Sequence, residues 1–320
     1  MITRRRLLKG LGAFALGSVT LGGYAFGIEP MRTTVTRYRV RPASWPRGAS
    51  LKIAVIADVH AGEPYMSAER VAGICAETNA LAPDLIVLLG DYAASHRYLT
   101  RPVAPDAWAE AFSVLRAPLG VHAVLGNHDW WDDWTAQREG KGPIIGRRAI
   151  ERRGIPVYEN DVVRLQKDGQ PFWLAGLGDQ LALRIRSYSR IDEAVRIARG
   201  QPRSSMPPRF KGVDDLPATL ARITDDAPVI LLAHEPDIFP AVPGRVALTL
   251  SGHTHGGQIR LAGWAPIVPS RYGNRYAYGH VTERDERGRE KHLVVSGGLG
   301  CSMLPVRLGC PPEIVIVEVG

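Results

Sequence analysis

Val121-His122-Ala123-Val124-Leu125-Gly126-Asn127-His128-Asp129 is an apolar run that stops at a glycine and then presents an amide and an imidazole side by side. A buried strand that ends this way delivers polar groups to a sheet's carboxyl edge, where open α/β sheets place their sites. The pattern recurs four times. Leu51 to Ala57 leads to Asp58 and His60, Leu85 to Leu89 to Gly90-Asp91, Pro228 to Ala233 to His234, and Val246 to Leu250 to Gly252-His253-Thr254-His255. One such junction is an ordinary turn as often as a site; five in one chain form a constellation.

Helical patterns separate the first three runs. Ser67 is a fitting N-cap for a helix reaching Leu81, with Val71, Ile74, Cys75 and Thr78 at helical spacing and Pro83 ending it. Asp106 to Arg116 reads as a second helix, and Pro143 to Arg153 as a third with Arg147, Arg148, Arg152 and Arg153 outward. Strands alternating with helices predict parallel pairing in the first half. The second half is richer in strands. Val162 to Gln166 and Phe172 to Leu177 are short strands, while Tyr276 to Thr282, His292 to Val295 and Ile314 to Val319 read as successive antiparallel ones. The expected fold is α/β, two facing sheets flanked by helices.

The chain has 320 residues, 45% of them apolar, enough for one large core. Residues 49–320 read as one domain and 29–48 as a polar, Pro-containing linker. Formal net charge is +8, but Arg4, Arg5, Arg6 and Lys9 account for half of it. The mild bias that is left predicts no nucleic-acid partner.

Residues 1–28 read as an address. Thr3-Arg4-Arg5-Arg6-Leu7-Leu8-Lys9 precedes an uncharged run rich in Gly, Ala and Leu, which resembles a twin-arginine export signal. The alternative is a signal anchor whose arginines stay inside. The run approaches the roughly 20 residues needed to span a bilayer, so an uncleaved tether fits too. Either way the chain is expected outside the cytoplasm, in the periplasm or on the outer face of the membrane, with the twin-arginine machinery as a partner. Gln180 to Gly212 is an Arg-rich excursion, read as solvated surface or as an arm that meets anionic substrate or lipid headgroups.

Seven strand-end donors, Asp58, His60, Asp91, Asn127, His234, His253 and His255, are too many for one ion, since zinc takes about four ligands. Two ions sharing a carboxylate use them all. Mixed oxygen and imidazole donors suit manganese, iron or zinc.

In their order and spacing, Asp58-x-His60, Gly90-Asp91, Gly126-Asn127-His128-Asp129, His234 and Gly252-His253-x-His255 resemble the five blocks of the calcineurin-like metallophosphoesterases. Gly256-Gly257-Gln258-Ile259, Gly297 to Gly300 and Pro311-Pro312-Glu313 are similar to the exported bacterial subgroup. The resemblance implies a four-layer α/β/β/α sandwich and a dinuclear site. It assigns Asp58, His60 and His255 to one cation, Asn127, His234 and His253 to the other, and Asp91 to the bridge. A metal-bridging hydroxide is then the nucleophile, and His128 protonates the leaving oxygen.

The implied activity is hydrolysis of a phosphodiester or pyrophosphate at the cell envelope, on a substrate that can be lipid-linked. Two alternatives stay open: a lipid pyrophosphatase of the UDP-2,3-diacylglucosamine type, and an envelope-binding protein with a non-catalytic metal site. One position departs from the family. Many members carry an acid three residues after the bridging Asp, where this chain has Ala94, so either another carboxylate such as Asp129 orients His128 in its place or His128 is less firmly aimed.

Arg307, in a Gly/Pro-rich loop, is a candidate phosphate clamp. Cys301 and Cys310 could pair in an oxidising compartment. His122 is expected as a hydrogen-bonded core residue and His292 as a solvated one, while His96 and His280 could reach the site. Trp130, Trp131 and Trp134 either fill the core under the His128 loop or wall an apolar cleft.

Overall fold

The computed structural model describes residues 4–185, Arg199 and 209–320, with the side chains of part of the first helix left aside. Most of the Arg-rich excursion lies outside the described residues. In chain order the long strands are β1 (Thr34–Val40), β2 (Leu51–Ile56), β3 (Leu85–Leu88), β4 (Val121–Ala123), β5 (Asp161–Lys167), β6 (Gln170–Gly176), β7 (Val229–Leu232), β8 (Val246–Ser251), β9 (Gly279–Arg284), β10 (Glu290–Val295) and β11 (Glu313–Val319). The helices are α1 (Arg4–Gly23), α2 (Ala68–Ala80), α3 (Pro105–Phe112), α4 (Asn127–Trp131), α5 (Trp134–Glu139), α6 (Ile145–Glu151) and α7 (Leu216–Ala221).

One sheet runs β1-β11-β2-β3-β4 and the other β9-β10-β8-β7-β6-β5. Strands β2, β3 and β4 are parallel, as the alternation of strand and helix predicts. So are β6, β7, β8 and β10. The antiparallel expectation for the last three strands holds only for β9 with β10. The final strand β11 crosses to the other sheet, antiparallel to β2 and parallel to β1. Strand β1 lies within the stretch read as a linker; with Arg37 and Arg39 exposed it forms the charged edge of its sheet.

Three apolar clusters define four layers. Val55, Val87, Leu232, Leu250 and Val317 fill the space between the sheets. Ile74, Trp108, Phe112 and Ile150 join α2, α3 and α6 to the outer face of the first sheet. Leu216, Phe239 and Tyr276 cover the second. Covered on both faces, β3, β7 and β8 are buried along their whole length, which is why they read as continuous apolar runs. Ser67 caps α2 as expected, accepting a hydrogen bond from the Arg70 amide at 3.1 Å.

Candidate metal centre

The carboxyl ends of β2, β3 and β4 in one sheet meet those of β7 and β8 in the other. Asp58, His60 and His255 place their ligand atoms within 4.8 Å of one another, and so do Asp91, His234 and His253. A single oxygen joins the two groups. Asp91 Oδ2 lies 3.5 Å from His60 Nε2 and 3.3 Å from His234 Nε2. Asn127 Oδ1 completes the second group, 2.8 Å from His253 Nδ1. The structure thus brings all seven candidate ligands together, each of them buried.

The local backbone is arranged for this at a cost. Asp58, His60, Asp91, His253 and His255 all have positive φ, between 44° and 68°. Non-glycine residues held there cost about 1–3 kcal/mol each and persist only where their surroundings over-determine them. Gly126 has an ordinary φ, but a Cβ built on it would fall 2.4 Å from Asp91 Oδ1 and 2.7 Å from His234 Cε1. A glycine is required there by space alone.

Hydrogen bonds behind the rings choose their tautomers. His234 Nδ1–H donates to Leu89 O at 2.6 Å and His60 Nδ1–H to Ala93 O at 3.3 Å, so each ring turns its Nε2 toward the centre. His60 Nε2 and His255 Nε2 stand only 3.1 Å apart. Burial pushes His60 down to about 3 and His255 well below the usual imidazole range, so both face this point uncharged. Burial, partly offset by His234, pushes Asp58 up to about 7. Asp91 goes the other way: burial opposes its charge, but His234, His128 and His60 around it hold it well below the carboxylate range. Facing neutral imidazoles, an oxygen shared between two groups and a His234 Nε2 left without a hydrogen-bond partner form a donor set that suits divalent cations.

His128 stands at the rim beside this centre, edge-on to His60 at 4.9 Å between ring centroids and 5.0 Å from Trp131. Its backbone amide donates to Asp91 Oδ1 at 2.8 Å. The three indoles part company: Trp130 is buried under the loop, Trp131 stacks on Phe210 beneath the Arg184 guanidinium, and Trp134 is exposed. Next to the centre opens a cleft of about 300 Å³ walled by Trp131, Ile259, Ile267, Met303, Leu304 and Val306.

Several expectations are corrected. Arg307 is fully buried and donates to the carbonyls of Gly297, Gly298, Gly300 and Cys310, so it braces the loop beneath the site and cannot clamp a phosphate in the cleft. Cys301 and Cys310 are free thiols, because that guanidinium lies against both sulfurs. Asp129 does not touch His128. Its two oxygens accept from the amides of Asp91, Tyr92 and Gly126, each at 2.9 Å, which locks two ligand-bearing loops together. His292 is buried rather than solvated and stacks on His280, so neither ring reaches the centre. His122 is the core residue expected, bonded to Tyr158 Oη and Leu119 O. Partly buried His96 bonds the Tyr98 amide.

Sequence reasoning missed Ser95, whose hydroxyl touches His128, and the buried carboxyl pair Asp179 and Glu235 behind His234. Burial and the Glu235 charge push Asp179 well above the carboxylate range. The only signals were that Glu235 follows His234 and that Ser95 follows Ala94.

The sequence profile of the calcineurin-like phosphoesterase family matches residues 51–257. An uncharacterized metallophosphoesterase YkuE of Bacillus subtilis is 31% identical over 98% of this chain and 96% of its own length. The phosphodiesterase YaeI of Escherichia coli is 28% identical, over 99% of both. The UDP-2,3-diacylglucosamine pyrophosphatase LpxG of Chlamydia trachomatis is 26% identical, over 92% of both.

Proposed function

Because the chain belongs to the calcineurin-like phosphoesterases, we propose that it is a metal-dependent phosphodiesterase acting on an amphiphilic envelope substrate. Asp58, His60 and His255 would hold one divalent cation, Asn127, His234 and His253 would hold a second, and Asp91 would serve both. The observation that carries this is the single Asp91 oxygen within 3.5 Å of an imidazole nitrogen of each group. Bound there, divalent cations lower the pKa of water and offset the charge on a phosphoryl group.

The chain's own residues supply the rest. His128 faces the cleft from beside the centre and protonates the leaving oxygen, a role worth about 10²–10⁴-fold. Backbone amides held by Asp129 keep the β3 and β4 loops in register, so the donors stay aimed. The apolar wall of Ile267, Met303, Leu304 and Val306 suits an acyl or prenyl chain attached near the phosphate. That wall also favours the second reading, a nucleotide-lipid pyrophosphatase of the kind the LpxG name describes. Export through the twin-arginine route, inferred from Arg4 and Arg5, favours the first, since nucleotide-lipids are made inside the cell. Among the described residues no helix is long and apolar enough to cross a membrane. The exposed side chains of Leu261, Trp264 and Ile267 are candidates for contact with a membrane surface.

Protein loaded with manganese should hydrolyse bis-p-nitrophenyl phosphate, and Asp91→Asn should abolish this. Equal rates from the two proteins would discard the shared-carboxylate centre. Co-sedimentation with cell-wall polymer and no turnover by either would instead favour an envelope-binding role. Replacing Arg4 and Arg5 by Lys should strand a reporter fusion in the cytoplasm, and undisturbed export would reject the twin-arginine assignment.

A further inference from the structure

We propose that Ser95 is the positioning residue that aims the His128 imidazole into the cleft, in place of the acid that position 94 lacks. The inference rests on the phosphoester hydrolysis proposed above. Ser95 Oγ lies 3.0 Å from His128 Nδ1. On the far side of the ring, Nε2 faces the cleft, with Ser302 Oγ 3.4 Å away.

Geometry explains why the support has moved by one residue. Ala94 is buried with its methyl against Gly62, so close that a Cβ on that glycine would meet it at 3.0 Å. Its amide donates to Ala61 O at 3.0 Å, which fixes the backbone with position 94 turned inward. A longer, charged side chain has no room there. Position 95 faces out toward the ring instead. Asp129 is unavailable, because both its oxygens are taken by backbone amides.

Asp132 is placed by α4, one turn after His128, with its amide on His128 O at 3.1 Å. In this arrangement His128 Nδ1–H donates to Ser95 Oγ. That leaves Nε2 pointing at the reacting group. As the bond from phosphorus to the leaving oxygen breaks, its electron pair stays on that oxygen, which takes the Nε2 proton, while the oxygen of water adds to phosphorus, keeping one of its protons and releasing the other to solvent. His128 ends neutral with its remaining proton on Nδ1, where Ser95 accepts it.

The test uses the full chain loaded with metal and a series of aryl and alkyl methyl phosphates with increasingly basic leaving groups. Ser95→Ala should leave KM unchanged and lower kcat progressively along the series, by about 10–100-fold at the alkyl end. Ser95→Thr, which keeps the hydroxyl, should restore most of the rate. An equal loss on every leaving group, or none, overturns the proposal. Failure of the unaltered protein to turn over any member would count against the hydrolase reading itself. The positioning role is then decided by nitrogen NMR of histidine-labelled, zinc-loaded protein, where Ser95→Ala should shift the His128 ring from its Nδ1–H tautomer. An unchanged ring signal would overturn it.

Discussion

Replacing Arg307 by Met separates a brace from a clamp. The guanidinium is wholly inside and donates to Gly297 O at 2.9 Å, Gly298 O at 3.1 Å, Gly300 O at 3.1 Å and Cys310 O at 2.9 Å. Gly298 O also accepts the Glu313 amide at 3.2 Å. Among the described residues the other three carbonyls have no second donor, so the methionine strands three. A buried polar group left unpaired costs about 1–3 kcal/mol, which puts the unrelaxed loss near 3–9 kcal/mol. Relaxation and water entry bring this toward about 3–5 kcal/mol, as for other broken buried charge contacts.

That is a large share of the roughly 5–15 kcal/mol by which domains are stable, and should lower Tm by about 5–10 °C. Thermal unfolding in chelator reads this directly, and Arg307→Lys, which keeps the charge but offers a smaller fan of donors, should fall between. The loop it braces packs on the centre: the Gly300 amide donates to Asp58 O, so both variants should also bind metal more weakly. A variant with unaltered Tm and metal affinity but a KM raised about tenfold would refute the brace and restore the phosphate clamp.

Three further outcomes follow from the same geometry. Asp129→Ala frees three buried amides and should cost about 3–5 kcal/mol in urea unfolding together with metal affinity; full stability with a change only in leaving-group dependence would show that it orients His128 after all. Asp58 has a carboxyl at about 7 in the metal-free fold against 3.8 for the free side chain, so the folded state binds its proton more tightly than the unfolded one. From this group the metal-free fold loses stability as pH rises from about 4 to 7. Cation binding demands the carboxylate, so below about pH 7 it should release a proton, measurable by calorimetry in buffers of different ionisation enthalpy; binding without proton release at pH 6 would contradict this. Burial raises the thiols of Cys75, Cys301 and Cys310, Cys75 to about 12, so all three should react with a thiol reagent only after unfolding, and a non-reducing mass matching a Cys301–Cys310 bridge would contradict the structure.

Most of the strands and the seven converging side chains were legible because both depend on local pattern. Strands covered on two faces must be apolar throughout, as Leu85 to Leu88 and Val229 to Leu232 are, and polar groups that follow them can only emerge at the sheet's edge. Asp58, Asp91, Asn127 and the four histidines could therefore be named from order and spacing alone. What lies behind them could not. Whether Arg307 reaches the cleft or is walled beneath it, whether two cysteines meet or are parted by a guanidinium, and whether Asp129 or Ser95 supports His128 depend on contacts between segments far apart in the chain. The crossing of β11 to the first sheet belongs with these, because an apolar strand reads the same beside either neighbour. Hydrophobic periodicity is written residue by residue, while hydrogen-bond partners and the space open to a side chain exist only once the layers have closed around it.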